Sequence, residues 1–386
     1  MTFLRPPRAA WSSSQRIVGL DVARGLAILG MLAAHTLVLR PVDAADPTTW
    51  GAIVQGRSAI MFAVLAGVSI AIMSGGARPV SGQQLVRVRL RIAIRAVVLF
   101  GLGGLLASLN TNVYVILEYY SVLFVLALPF LRWRPRSILI LAAVLTVVMP
   151  VAQLVLSRAR AGWDLRPTEI IELVIEGNYP AMIWIVFLLV GLAVGRLDLR
   201  GPDVLRMLFL LGSAASLVGY SAGELSAAIV PRSAGSVYSG TTFDWSRLLD
   251  ISALATTAPH SGSPFEIVGS TGLAVAILAL CVMTTMTTRR AFVLVVPLAA
   301  TGSMALSAYT AQIIVLAVIQ AGAGADRTGG WSVFITLAVI TLAASTLWAY
   351  LVGPGPLERG LSVLSARAAR SGEPAGDEGR RNSVTT

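Results

Sequence analysis

The stretch Arg16-Ile-Val-Gly-Leu-Asp21-Val-Ala-Arg24-Gly-Leu-Ala-Ile-Leu-Gly-Met-Leu-Ala-Ala-His35 decides how the rest of the chain is read. It is long and apolar enough to cross a bilayer, yet it carries Asp21, Arg24 and His35 in its interior. An ionisable group at mid-bilayer costs at least about 2.5–3.5 kcal/mol, so three on one helix need a reason. At about 100° per residue, Asp21, Arg24 and His35 fall on one face of the helix. At about 1.5 Å per residue the stripe is roughly 21 Å long, most of a hydrocarbon core about 30 Å thick. Such a stripe lines a path or a site.

The composition agrees with a membrane setting. The chain has 386 residues, of which 56% are hydrophobic and 13% charged, half the roughly 25% charged residues of a soluble domain. Apolar stretches of spanning length lie near 17–39, 57–75, 91–109, 112–131, 137–157, 180–197, 204–224, 266–288, 296–320 and 331–352. The expected fold is an all-α integral membrane bundle of about ten transmembrane helices. With the N-terminus inside, 21 arginines fall on cytoplasmic segments and 8 on the outer side, so the positive-inside rule gives N-in and C-in. The net charge of +11 then reflects topology and attraction to anionic membrane lipid. Arginines scattered over many short loops argue against a nucleic-acid partner.

Three further exclusions follow from composition. No lysine occurs, which removes a P-loop lysine and a pyridoxal Schiff base. An all-arginine usage of this kind suits a high-GC genome and a bacterial cytoplasmic membrane. The single Cys281 and two histidines leave no disulfide framework and no multi-histidine zinc site; no metal is expected. Asp21 and Arg24 interrupt the approach to the first apolar run, which argues against a cleaved signal peptide.

The expected organisation is a disordered cytoplasmic N-terminus at 1–15, a polytopic domain at 16–365 and a disordered cytoplasmic tail at 366–386, polar and poor in apolar residues. Two outer loops stand out. In the first, Glu169, Glu172 and Glu176 at helical spacing read as a short interfacial helix. The second, near 225–265, is rich in Ser, Gly and Thr and carries Asp244, Trp245, Arg247, Asp250 and His260. It has the length of a lid or binding loop.

The unusual polar residues sort into two tiers. The inner tier is Asp21 and Arg24 with Arg91 and Arg95 of the third span, a set suited to a phosphorylated or anionic ligand. The plainer alternative is that Asp21 and Arg24 pair at i,i+3 and neutralise each other. The outer tier is His35, Arg57, Glu118-Tyr119-Tyr120 and the segment His260-Ser-Gly-Ser-Pro-Phe-Glu266. Histidine is the side chain best matched to proton transfer at neutral pH, so His35 is a candidate general base or acyl carrier, with His260 or Glu118 orienting it or relaying the proton. Each has a bland counterpart: an interhelical hydrogen bond for His35, pairing with Arg57 for Glu118, an ordinary loop for 260–266.

Two weaker signals are set aside. Gly219-Tyr-Ser221-Ala-Gly223 matches the G-x-S-x-G elbow of hydrolases, but the elbow needs a strand-turn-helix context. Here it reads as a G-x-x-x-G packing face, repeated at Gly191 and Gly195. Tyr309 and Gln312 lie one turn apart, and an interhelical hydrogen bond explains them equally well.

Several segments together resemble a known group. Leu20-Asp21-Val-Ala-Arg24-Gly25 with the later His35, Leu65-Ala-Gly-Val-Ser69, Gly177-Asn-Tyr-Pro180, Gly302-Ser-Met-Ala-Leu-Ser-Ala-Tyr309-Thr-Ala-Gln312 and Gly353-Pro-Gly-Pro-Leu-Glu358 resemble bacterial membrane families related to heparan-α-glucosaminide N-acetyltransferase. These include the YeiB-like proteins of unknown function. The resemblance covers about 16–360 and implies a transmembrane acyltransferase fold of ten or eleven helices. It further implies acetyl-CoA or another acyl-CoA as cytoplasmic donor and a sugar or other cell-envelope acceptor. By position in the motif Asp21, Arg24 and His35 carry over. The sugar transferase, however, has Asn at the position of His35 and its proposed histidine some residues later, where this chain has none between Thr36 and Gln55. His35 as catalyst therefore rests on its chemistry. The expected function is acyl transfer from acyl-CoA to a glycan or small-molecule acceptor, in a monomer or homo-oligomer. The alternative is a transporter or exporter of a small anionic or lipid-linked molecule.

Overall fold

In the computed structural model, residues 16–37, 39–40, 46–162, 168–230, 238–239, 242–243, 250–287, 289–323 and 329–371 are described. Most of them are helical, as lipid demands of a backbone that must satisfy its own hydrogen bonds. The helices are α1 (Val18–Thr36), α2 (Arg57–Met73), α3 (Gly82–Ala107), α4 (Leu117–Ala127), α5 (Pro135–Gly162) and α6 (Ala181–Val194), followed by α7 (Pro202–Ile229), α8 (Pro264–Thr287), α9 (Arg289–Ser303), α10 (Ala305–Ala323), α11 (Trp331–Leu351) and α12 (Pro356–Ser371). The strands among the described residues form a single ribbon, Tyr238–Ser239 against Thr242–Phe243. Prolines open α5, α7, α8 and α12, where a missing N–H costs nothing and the fixed φ suits the first turn.

Among the described residues, eight helices are long and apolar enough to cross a membrane. A ninth arises if the helical turn 169–176 and α6, bent by 53° to each other, count as one span. The protein is thus an all-α, multi-pass membrane protein. Two apolar stretches differ from the simple spans the sequence suggested. The stretch 112–131 supplies only the 11 residues of α4 before a 3-10 turn. The stretch 296–320 is broken at Met304 into α9 and α10. The C-terminal helix α12 reaches Ser371, past the expected boundary at 365, and is anchored through half-buried Leu357 and Leu361 and buried Ser365.

Helices α1, α2, α6 and α8 form the centre. All but two residues of α6 are buried, whereas α11 buries only Ser345 and Ala349. Small residues let the central helices approach closely. A Cβ on Gly302 of α9 would lie 1.8 Å from the carbonyl oxygen of Asp21, and one on Gly25 would lie 2.0 Å from that of Leu298. The Gly219–Gly223 face packs in the same way on α8, where a Cβ on Gly219 would lie 2.4 Å from the backbone nitrogen of Gly269. Ser221 is exposed, so this segment is a packing face and not a nucleophile elbow.

Candidate functional site

The site begins with a local pairing. Asp21 is 3% exposed and accepts hydrogen bonds from Arg16 Nε at 2.7 Å and from Arg24 at 2.7 Å. The i,i+3 spacing on α1 makes the second contact nearly automatic. The other guanidinium nitrogen of Arg24 donates to Ser69 Oγ on α2 at 2.7 Å, and Ser69 donates onward to the Leu65 carbonyl at 2.6 Å. Arg24 is thereby held on both sides with a fixed direction.

That direction matters because Arg24 lines two spaces at once. On the side of Arg16 an open vestibule of about 840 Å³ is bordered by Arg16, Asp21, Arg24, Gly76, Asp198 and Arg200. Deeper in the bundle a cavity of about 410 Å³ lies among α1, α2, α3, α4, α10 and α12. Its walls are mostly apolar, with Phe62, Leu65, Leu99 and Leu306 prominent. Arg24 and Arg95 supply its positive charge. Arg95 is half-buried, its Nε makes no hydrogen bond, and it lies within electrostatic range of Arg24 and Arg91. Arg91 itself is exposed and outside the lining.

Two features of this cavity come from distant sequence. Glu358 of α12 reaches its wall, accepting from the backbone N–H of Leu306 at 2.8 Å and of Ser307 at 3.2 Å, and from Ser307 Oγ at 2.5 Å. A carboxylate thus caps the N-terminus that the break at Met304 creates. At the far end Tyr309 Oη accepts from the Ile116 N–H at 3.2 Å, and Tyr120 Oη donates to the Ala59 carbonyl at 3.0 Å. The sequence placed Tyr120 beside Glu118 in the outer tier but did not bring Ser69 or Glu358 to this site; the nearest signals for those two are the Leu65–Ser69 and Gly353–Glu358 segments of the resemblance.

The candidate catalytic residues divide. His35 stands one turn beyond Met31, which lines the cavity on the same face of α1. It is half-buried, and its Nδ1 is buried without a hydrogen-bond partner. Glu118 is half-buried and packs against Gly103 and Gly104 of α3, while its neighbours Leu117 and Tyr120 face the cavity. The expected Glu118–Arg57 pair does not form. Arg57 instead donates from Nε to Tyr220 Oη of α7 at 2.8 Å and sits 5.0 Å from that ring centre, while the Glu118 side chain lies on the α3 side of α4.

His260 belongs to a scaffold. Ser263 Oγ accepts from the Glu266 N–H at 3.0 Å, and Glu266 reaches back to the N–H of His260 at 2.7 Å and of Gly262 at 2.8 Å. Ser263-Pro-Phe-Glu266 is therefore a variant of the capping box opening α8, in which the Glu266 carboxylate meets the N–H of Gly262 rather than that of the cap residue Ser263. The His260 ring touches the Asn178 carbonyl at 3.2 Å, meets Tyr179 edge-on and stacks over Trp184, not over His35. Partial burial lowers its pKa against the raising effect of the Asn178 contact, and the charge of Arg57 lowers it further. The adjoining cavity of about 10 Å³ has room for about one water and no substrate. Asp244, Trp245 and Arg247 lie outside the described residues. No cluster of three or more candidate metal ligands occurs among the described ones.

Residues 16–221 match the family model described as heparan-alpha-glucosaminide N-acetyltransferase, catalytic, and residues 242–365 match one described as a protein of unknown function (DUF418). No curated protein matches the chain. The first match covers more than half of the sequence and contains Asp21, Arg24, Ser69, Arg95 and His35. The chain belongs to the heparan-alpha-glucosaminide N-acetyltransferase catalytic family, as a multi-pass membrane protein of acetyltransferase-like function.

Proposed function

We propose that the protein takes an acyl group, acetyl by family, from cytoplasmic acyl-CoA and delivers it across the membrane to a sugar or other cell-envelope acceptor. The observation that carries this reading is that Arg24 lines both the vestibule and the cavity among the helices. A nucleotide end could sit in the vestibule while a narrow acyl-bearing arm enters the bundle, with the guanidinium at the neck between them. Both spaces fall in the range of about 300–1,000 Å³ typical of ligand sites. Arg24 and Arg95 would bind phosphate oxygens, and Asp21 would orient Arg24. His35 would then act as the general base toward the acceptor. The acceptor oxygen or nitrogen forms a bond to the acyl carbon as its proton passes to His35, the carbon–sulfur bond breaks, and the proton returns to the departing thiolate. His260 and Glu118 have no relay role in this scheme, since the first is engaged by its scaffold and the second faces away from the cavity.

One observation favours a second reading. The break between α9 and α10 points a helix N-terminus at the cavity, a feature of secondary transporters. Transport would move a substrate without changing it covalently. Calorimetry of acetyl-CoA with the purified protein in nanodiscs separates the two. Saturable binding, weakened about tenfold or more by Arg24→Ala through loss of a charge-assisted contact, supports transfer. Absence of binding to acetyl-CoA and to longer acyl-CoAs, in protein shown to be folded, refutes it.

A further inference from the structure

Gln312 is the most anomalous side chain among the described residues. It is 4% exposed, and neither its amide nitrogen nor its amide oxygen has a hydrogen-bond partner. An interhelical hydrogen bond is the ordinary reason for a glutamine in such a place, and it is absent here. A carboxamide offers two donors and two acceptors, and leaving all of them unmet in an apolar interior is costly. Unpaired polar groups of this kind are tolerated where something else binds to them.

Its position says what that is. Gln312 lies on α10 one turn beyond Tyr309, where the wall of the cavity ends. Three residues turn the helix by about 300° and advance it by about 4.5 Å, so Gln312 stays within about 60° of the face of Tyr309. Helix α1 contacts α10 and repeats the arrangement: Met31 lines the cavity, and His35 follows one turn on with its Nδ1 also unpartnered. The other polar groups of the cavity are mostly engaged, since Ser69, Tyr120, Tyr309 and Glu358 all bond within the protein. Two unmet buried groups thus stand at the same end of one cavity, opposite the arginines.

We propose that Gln312 is a substrate-binding residue that holds the acyl end of the donor, its amide N–H donating to the thioester carbonyl and its amide oxygen left to accept from the hydroxyl or amine of the acceptor. The ligand group is neutral and carbonyl-bearing, because a carboxamide has no charge to spend on an ion. This inference rests on the acyl-CoA reading above and assigns the acyl end of that ligand, as the arginines were assigned its phosphates.

The test compares acetyl-CoA with free CoA, by calorimetry, on wild type, Gln312→Met and Gln312→Leu. Wild type is expected to prefer acetyl-CoA by about tenfold, or about 1.4 kcal/mol. Both variants should lose that preference while binding free CoA as before. Their thermal stability without ligand should equal or exceed that of wild type, since an apolar side chain leaves no buried polar group unmet. A preference kept in the variants, or absent from wild type, overturns the role of Gln312 and leaves the acyl-CoA reading intact. A marked loss of stability in both variants also overturns it, by showing that the amide has a partner within the protein. Failure of wild type to bind either compound defeats the acyl-CoA reading and the assignment of Gln312 with it.

Discussion

Substituting Gly302 by alanine tests whether the Asp21–Arg24 turn is held by backbone-to-backbone packing. The new Cβ would lie 1.8 Å from the carbonyl oxygen of Asp21 and 2.6 Å from the nitrogen of Gly25. Ordinary contact begins at 3.4 Å, so α9 must withdraw from α1 by about 1.6 Å. The neighbour is helix backbone and has no rotamer to change. Overpacking of this kind costs about 1–3 kcal/mol and sometimes more; with two backbone atoms in the way we expect about 3 kcal/mol. For a chain of this length that is a fall of roughly 5 °C in melting temperature. The same withdrawal loosens the packing behind Arg24, so acetyl-CoA affinity should fall as well. Gly101→Ala on α3 is the matched control, because nothing lies within 4 Å of its added Cβ; it should be neutral or gain about 0.5–1 kcal/mol from helix propensity. Thermal unfolding in detergent, followed by intrinsic fluorescence, reads both. A Gly302→Ala protein that melts with wild type would show that α1 and α9 do not meet at Gly302, and the geometry of the cavity would have to be redrawn.

Two further outcomes follow from other parts of the molecule. Arg196 is 4% exposed and donates to the carbonyls of Ala71, Gly76 and Leu131 and to Ser74 Oγ, joining the end of α2 to the turn after α4. Arg196→Met should cost about 3 kcal/mol or more by stranding those carbonyls, and Arg196→Lys should recover only part, because one ammonium cannot reach both groups of acceptors; unfolding midpoints equal to wild type would contradict this. The His260 pKa is lowered below its ordinary value of 6.5, so between that folded value and 6.5 the unfolded chain binds more protons than the folded one. Stability from this residue is then full above pH 6.5 and is lost as the pH falls. His260→Asn, which tolerates the left-handed φ of 61°, should flatten the decline in melting temperature between pH 7 and pH 5; parallel curves for the two proteins would refute the shift.

Sequence and structure contribute to this site at different ranges. The membrane class, the helical architecture and the first span were legible because lipid leaves few ways to satisfy a backbone. The Asp21–Arg24 pair was legible for a local reason: residues three apart on a helix are neighbours wherever the helix goes. Arg24 and Arg95 were chosen by charge in apolar surroundings, and both line the cavity. Glu118 and His260 lie outside that lining: type and depth in the membrane do not say which way a side chain points. Packing against Gly103 turned Glu118 away from the cavity, and a capping box accounts for His260.

By itself, then, the sequence determined what depends on composition and on spacings within one helix: a multi-pass bundle, a polar stripe on α1 and an ion pair at one end of it. Only the tertiary structure decided which distant groups complete the site. Hydropathy read 296–320 as one span, since it sums apolarity over length and is blind to a hydrogen bond from elsewhere. The break at Met304 is held by Glu358, 52 residues after the Leu306 N–H that it caps. Gln312 looked like one half of an ordinary interhelical bond until the fold surrounded it with no partner. Whether a buried polar group is satisfied depends on what packs against it, and that is settled only when the helices assemble.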